Sequence, residues 1–307
     1  MTLDVLLLLA LPAAGKSEIR TYLDQLDGPA LADLGFGQQV HLDDYPYVHL
    51  MRRLSRELRA DGRHPGFFSN DTSPMLEPLD WGTLIHLVNE DFAALSGAPI
   101  LPSILDRMDT ARSAVGADPV FADLPTEVRT RLETAVANDV PPEPGLAPEE
   151  STVVIEFARG GPEGAGTPLP APLGYRYSLA QLAPDLLRRA AILYIWVTPA
   201  ESRRRNRERA RPGPEGDASI LHHGVPEVVM RSDYGTDDLE WLLETSGRPS
   251  TVAVEAWGER FEIPTARFDN REDRTSFLRA DRSEWPADSV ADVNRRLSEA
   301  LALLQAG

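Results

Sequence analysis

Lys16 is the only lysine in a chain whose other basic residues are all arginine. Lysine and arginine together number 31, so the other 30 carry a guanidinium group. A slim ammonium on a flexible stem can follow a narrow loop to the β and γ phosphates of a nucleotide, whereas a planar guanidinium is too wide. The single lysine therefore points to phosphate binding.

The residues around Lys16 have the order that a phosphate-binding loop requires. Residues 10–17 read Ala-Leu-Pro-Ala-Ala-Gly-Lys-Ser, after an apolar run at 5–9 and before an amphipathic stretch. In a strand, turn and helix of this kind, backbone N–H groups converge on anionic oxygens at the positive end of the helix dipole. The predicted phosphate contacts are Ala13, Ala14, Gly15, Lys16, Ser17 and Glu18. The strict motif has glycine where this chain has Ala10, and the alternative is a chance Gly-Lys-Ser in an ordinary turn.

Composition narrows the classes of partner and compartment. The chain has 307 residues, a formal charge of −17 and no cysteine. Such a charge repels polyanions, so we expect neither nucleic acid nor an anionic membrane as a partner. The apolar run at 5–9 is too short to span a bilayer, and the lack of cysteine suits a reducing compartment, so we expect a cytoplasmic protein. The oligomeric state cannot be read from the sequence.

Strand and helix patterns alternate along the chain, which predicts an α/β protein. Strands are expected at 38–42, 152–156 and 190–197, and residues 252–267 suggest a hairpin whose second arm, 263–268, completes the sheet. The continuous apolar runs are typical of parallel strands buried on both faces. Helices are expected at 48–60, 81–95, 127–137 and 287–304. We interpret residues 1–307 as one domain with a mainly helical insertion at 45–150.

Four segments, in this order, resemble the P-loop kinases of small metabolites, the group of uridine kinase, phosphoribulokinase and pantothenate kinase. They are residues 10–17, 41–45, 153–156 and 197–207. The resemblance implies a three-layer α/β/α fold with a parallel five-stranded sheet of order 2-3-1-4-5. It covers most of the chain, although only the first segment is specific alone.

The resemblance also implies roles for the acidic residues after two of the strands. Asp43 or Asp44 would act as base or orienter toward the acceptor hydroxyl, and Ser17, Glu156 and Asp44 would hold Mg²⁺. The alternatives are an Asp pair that starts a helix and a solvated carboxylate at a strand end.

The arginine-rich helix near residues 200–210 resembles the lid helix of these kinases, which neutralises charge on the transferring phosphoryl group. By spacing, Arg204 and Arg207 are the best matches, and the lid would span residues 203–238. Asn270 and Arg271 would contact the nucleotide base, unless they only end a strand.

Taken together, these patterns predict an ATP- and Mg²⁺-dependent phosphotransferase acting on a hydroxyl of a small metabolite, nucleoside-like or sugar-like. An NTP hydrolase that works as a switch, and a nucleotide-binding module without turnover, are the alternatives. The insertion at 45–150 would bind the acceptor, whose identity the sequence does not reveal.

Overall fold

Six strands form one sheet in the computed structural model, which describes residues 2–210 and 224–305. The sheet order is β2-β3-β1-β4-β6-β5. All neighbouring pairs are parallel except β5 and β6. The strands are β1 (Val5–Leu9), β2 (Gln39–Asp43), β3 (Thr152–Phe157), β4 (Ala190–Trp196), β5 (Thr251–Ala256) and β6 (Glu259–Asp269).

The predicted α/β class is confirmed, whereas the predicted strand count and order differ from the structure. The hairpin predicted at 252–267 supplies two strands rather than one. Its second arm, β6, lies parallel to β4, and its first arm, β5, pairs with β6 at the outer edge. The sequence pattern showed the hairpin but did not show that its first arm would extend the sheet to six strands.

Twelve α-helices connect or cover these strands within the described residues. They are α1 (Lys16–Asp24), α2 (Gly28–Asp33), α3 (Tyr45–Ala60), α4 (Asp80–Ala94), α5 (Ile104–Ala114), α6 (Thr126–Val136), α7 (Gly174–Ala180), α8 (Pro184–Arg189), α9 (Pro199–Arg209), α10 (Glu227–Ser232), α11 (Leu239–Thr245) and α12 (Ala287–Gln305). The long helices α3, α4, α6 and α12 lie within a few residues of the predicted ranges.

Hydrophobic clusters cover both faces of the sheet. β1 is Val-Leu-Leu-Leu-Leu and is buried at every position, as expected for a central parallel strand. Side chains of α4, α7, α8 and α11 pack on one face, and those of α1 and α12 pack on the other. This arrangement is compatible with a three-layer α/β/α fold.

Helices α3 to α6, in the predicted insertion, share a third hydrophobic cluster of their own. The predicted lid at 203–238 contains most of α9 and all of α10, and its residues 211–223 lie outside the part of the chain that the structure describes. Within the described residues, no helix has the length and apolarity needed to cross a bilayer.

Candidate functional site

Residues distant in sequence donate hydrogen bonds to the backbone carbonyl groups of the turn between β1 and α1. The Pro12 carbonyl accepts a hydrogen bond from Ser202 Oγ at 2.7 Å, and the Ala14 carbonyl accepts one from Asn270 Nδ2 at 2.7 Å. Ala13 and Gly15 have positive φ angles of 57° and 114°. The backbone of the turn is therefore held in a tight conformation by contacts within the protein.

The start of α1 offers a row of backbone donors. Among the described residues, the N–H groups of Gly15, Lys16, Ser17 and Glu18 have no hydrogen-bond acceptor, and no side chain caps the helix. Unpaired N–H groups at a helix N-terminus favour anionic oxygens, and the helix dipole adds to that preference. The turn can therefore receive a phosphate group.

The Lys16 ammonium lies where the carboxyl ends of β1 and β3 meet. Its Nζ donates to the Ala10 carbonyl at 3.2 Å and to the Phe157 carbonyl at 3.4 Å. Burial lowers the pKa of Lys16, while the negative charges of Glu156 and Asp43 partly offset that effect. These backbone bonds hold the ammonium beside the loop and among carboxylates.

Asp43 and Glu156 stand side by side at the ends of β2 and β3. They are partners in the parallel register, so both side chains leave the same face of the sheet. Burial, together with the nearby Glu156 and Asp44 carboxylates, raises the pKa of Asp43 to about 7. Glu156 is 3% exposed and accepts a hydrogen bond from Arg20 of α1 at 2.9 Å.

Asp44 has a different environment from its neighbour. Its Oδ2 accepts a hydrogen bond from Arg159 Nη1 at 2.5 Å, and both side chains are buried. Arg159 also donates to Ser178 Oγ at 2.9 Å and to the Trp81 carbonyl at 3.1 Å. Asp44 donates its backbone N–H to the Glu156 carbonyl, but Asp43 is the register partner of Glu156, and the Asp44 carboxylate has a fixed cationic partner instead. Sequence reasoning did not identify Arg159.

Tyr234, from the predicted lid, lies over the Asp44–Arg159 pair. Its ring contacts Trp81 edge to face, with centroids 5.7 Å apart. Burial raises its pKa, an effect that Arg159 opposes and Asp44 strengthens. Backbone hydrogen bonds between Gly161 and Thr236 join this segment to the loop after β3. The surroundings of Asp44 are therefore aromatic and charged, and they include residues from the insertion and from the lid.

The arginines of α9 divide by helix face. Arg204 and Arg207, the two predicted phosphate ligands, are 43% and 55% exposed in their side chains and pair with nearby glutamates. Arg205 is 1% exposed and donates to the Asn270 carbonyl and to Glu201. Arg203 is 14% exposed, pairs with Glu163, and has a buried Nη1 without a partner among the described residues. Arg205 therefore faces the loop, whereas Arg203 points toward Glu163 in the segment after β3.

The two residues predicted to contact the nucleotide base lie in different environments. Asn270 is fully buried, and its side-chain amide bonds to Ala14, Thr275 and the Arg274 N–H. The Asn270 side chain therefore supports the loop. Arg271 is exposed, pairs with Asp269 at 2.8 Å, and stacks over Trp196 with its guanidinium carbon 3.9 Å from the ring centroid.

Glu18 directs its carboxylate away from the row of N–H groups and toward two arginines. Its Oε1 accepts from Arg279 at 2.6 Å and from Arg209 at 2.8 Å. Burial acts to raise the pKa of Glu18, but the charges of Arg209 and Arg279 outweigh it and hold the pKa below its usual value. Only its backbone N–H is available to a phosphate.

The donor set around Lys16 suits Mg²⁺ only in the presence of a phosphate ligand. Within residues 2–210 and 224–305, no group of three or more histidine or acidic side chains is arranged to hold a metal. Mg²⁺ in phosphotransferases commonly takes one or two carboxylates, with water and substrate oxygens supplying the remaining ligands. Asp43, Glu156 and the half-buried Ser17 fit that pattern.

Comparison with known proteins found no family model that matches this chain and no curated protein with significant sequence similarity.

Proposed function

We propose that this protein is an ATP- and Mg²⁺-dependent phosphotransferase that acts on a hydroxyl of a small metabolite, nucleoside-like or sugar-like. One observation carries the proposal. Lys16 and four backbone N–H groups that have no acceptor among the described residues lie at the start of α1, beside the carboxylates of Asp43 and Glu156. An anion site next to a pair of carboxylates suits a nucleotide phosphate that arrives with a divalent cation.

In this proposal the loop binds the phosphates through its backbone. The N–H groups of residues 15–18 and the Lys16 ammonium contact the anionic oxygens, and Asn270 and Ser202 fix the carbonyls that point away. Since contacts within the protein hold the loop conformation, little ordering is required on binding. Positioning and charge neutralisation are what phosphoryl transfer mainly asks of a protein.

We assign the metal to Asp43, Glu156 and Ser17 rather than to Asp44. Bound Mg²⁺ would neutralise negative charge on the phosphoryl group during transfer. Asp43 and Glu156 are register partners, and the Arg20 that pairs with Glu156 is partly exposed, whereas Asp44 is held by the buried Arg159. Two neighbouring carboxylates repel each other, and a shared cation would relieve that repulsion.

We assign to Asp44 the role of orienting the hydroxyl of the acceptor. Within the described residues only its Oδ2 has a hydrogen-bond donor, so Oδ1 is free for a substrate hydroxyl. Arg159 keeps Asp44 in one position, and Trp81 and Tyr234 supply flat apolar surface around it. Aromatic surface beside a fixed carboxylate suits a small acceptor that has both a ring and a hydroxyl.

NTP hydrolysis is the second candidate, and the raised pKa of Asp43 suits it. A carboxylate with a pKa of about 7 can accept a proton from water at neutral pH as readily as from an alcohol. The third candidate function is a nucleotide-binding module without turnover, which would use only the contacts between the loop and the phosphates.

A single experiment separates these readings. The protein is incubated with ATP, Mg²⁺ and a pool of cellular metabolites, ADP is quantified, and new phosphorylated products are sought by mass spectrometry. Lys16→Ala is the matched control and should lose both ATP binding and turnover. ADP with a phosphorylated product supports the kinase, ADP with inorganic phosphate alone supports the hydrolase, and binding without ADP supports the module. Equal ATP affinity in wild type and Lys16→Ala would overturn all three.

A further inference from the structure

A cleft of about 440 Å³ opens between α7, α11 and the edge strand β5. Its volume lies in the range of small-molecule sites. None of its lining residues belongs to the loop, the carboxylates or the arginines around Lys16. Its walls are mainly apolar and include Leu169, Trp241, Leu242 and Val254.

Arg176, at the rim of this cleft, differs from every other described arginine. Across residues 2–210 and 224–305, it is the one arginine whose guanidinium has neither a carboxylate within 4.0 Å nor a hydrogen-bond acceptor. Acidic residues outnumber basic residues by 48 to 31 in this chain, so an unpaired guanidinium is unexpected. Arg176 therefore has its full charge available for an anion from outside the chain.

The backbone of Arg176 is fixed even though its side chain is free. The buried Asp238 carboxylate accepts hydrogen bonds from the N–H groups of Tyr175 at 2.6 Å and Arg176 at 3.3 Å. Gly174 has a positive φ of 76°, and a Cβ there would lie 2.6 Å from Asp238 Oδ1. The backbone at the start of α7 is thus fixed, and the exposed Arg176 side chain extends from a fixed point at the cleft.

The other charges of the cleft limit the ligand to a single negative charge. Arg260 is engaged by Glu255 at 2.8 Å and by the Ser246 carbonyl at 2.9 Å. Glu255 also lines the cleft, and its pairing with Arg260 leaves Arg176 as the one lining charge without a partner among the described residues. A nucleotide triphosphate is therefore a poor fit, whereas one carboxylate or sulfonate can pair with Arg176.

We infer that this cleft binds an organic monoanion with a flat apolar body, whose charged group pairs with Arg176 while its ring packs against Trp241. A planar ring matches the aromatic and aliphatic walls, and the guanidinium gives the site its preference for an acid over a neutral analogue.

The test uses two probes that share an aromatic body. Anilinonaphthalene sulfonate carries one negative charge, and N-phenylnaphthylamine carries none. Both should bind the folded wild type, with fluorescence saturating at one equivalent. Arg176→Gln should weaken the sulfonate about fivefold and leave the neutral probe unchanged. Arg295→Gln, an exposed change on α12 across the sheet, should alter neither.

Trp241→Leu should weaken both probes, because it shortens the wall that they share; thermal melting checks that each variant is folded. If Trp241→Leu does not fold, the Arg176→Gln comparison decides alone. Absence of probe binding to the wild type, or equal sulfonate affinity in wild type and Arg176→Gln, would overturn the inference.

Discussion

Arg159 and Asp44 form an ion pair with side chains only 2% and 7% exposed, although 114 residues separate them in the chain. The pair connects the loop after β3 to the start of α3. Arg159 also stacks near Trp81, with its guanidinium carbon 5.0 Å from the ring centroid. Because a buried ion pair stabilises only when both charges are present, loss of either partner should be costly.

Asp44→Asn should therefore reduce both stability and turnover. The change leaves the Arg159 guanidinium without a counter-charge, and we expect a loss of roughly 3 kcal/mol in the free energy of unfolding. Loss of the orienting carboxylate should reduce acceptor phosphorylation by roughly 10²- to 10⁴-fold, with a smaller change in ATP affinity. Urea denaturation, calorimetry with ATP and product formation measure the three effects.

The double variant Asp44→Asn with Arg159→Met separates the two roles. Removing the guanidinium as well should restore part of the lost stability, since no unpaired charge is then left buried. Turnover should not recover. Recovery of turnover together with stability would show that Asp44 acts only in folding.

Asp43 should make stability depend on pH in the opposite direction from an ordinary aspartate. Its pKa is raised from 3.8 to about 7 in the folded protein, so between these values the folded state binds more protons than the unfolded state. Stability from this group is therefore present at low pH and lost as pH rises toward 7. Relative to Asp43→Asn, wild type should lose about 2 kcal/mol between pH 5 and pH 8.

Urea denaturation of wild type and Asp43→Asn at pH 5 and pH 8 tests this. Comparing the two proteins cancels other groups, such as Asp237, whose pKa burial also raises to about 7. With the nucleotide phosphates present, Mg²⁺ should stabilise wild type more at pH 8 than at pH 5, because binding requires the deprotonated carboxylate. A difference between the proteins that does not vary with pH would mean that Asp43 titrates normally.

The sequence predicted the parts of the site that are local in the chain. The loop at 10–17, the acidic ends of β2 and β3, and the arginine helix α9 all lie where hydrophobic patterns and turn residues placed them. Arg159 and Tyr234 were not recognised as partners of Asp44, because their contacts join distant segments and no spacing rule connects them.

The sequence pattern also could not predict which side of α9 faces the loop. Consecutive arginines point around the whole helix, so composition cannot show which of them faces the loop. Ser202 fixes the phase of the helix by its bond to the Pro12 carbonyl. Arg205 then turns inward, while Arg204 and Arg207 turn toward solvent.

Arg203→Gln should lower turnover more than nucleotide affinity. Its Nη1 is buried and has no partner in the described part of the chain, which is a costly state unless an anion joins it. We expect a decrease of roughly 10²-fold in kcat, since charge on the phosphoryl group develops mainly in the transition state.

Arg204→Gln is the matched control, because the same change on the exposed face should leave kcat within about twofold of wild type. Steady-state kinetics and ATP calorimetry on both variants give the result. If Arg204→Gln lowers kcat and Arg203→Gln does not, the spacing-based assignment of Arg204 is the better one.

Gly15→Ala should disrupt the loop for two separate reasons. The φ angle of 114° is one that side chains other than glycine rarely adopt, and a Cβ would lie 2.6 Å from both Asn270 Nδ2 and Thr275 Oγ1. The loop must shift to relieve both contacts, so we expect a loss of roughly 1–3 kcal/mol in stability and a larger loss of ATP affinity.

Gly28→Ala makes the same chemical change where nothing lies within 4 Å of the added methyl group. It should alter stability by no more than about 0.5 kcal/mol and leave ATP affinity unchanged. Chemical denaturation and calorimetry on both variants measure these differences. The methyl group of Gly15→Ala would collide with the Asn270 amide, which donates a hydrogen bond to the Ala14 carbonyl. Removal of that amide in Asn270→Ala should therefore also weaken ATP binding. ATP affinity that survives in both Gly15→Ala and Asn270→Ala would mean that the turn between β1 and α1 does not hold the phosphates.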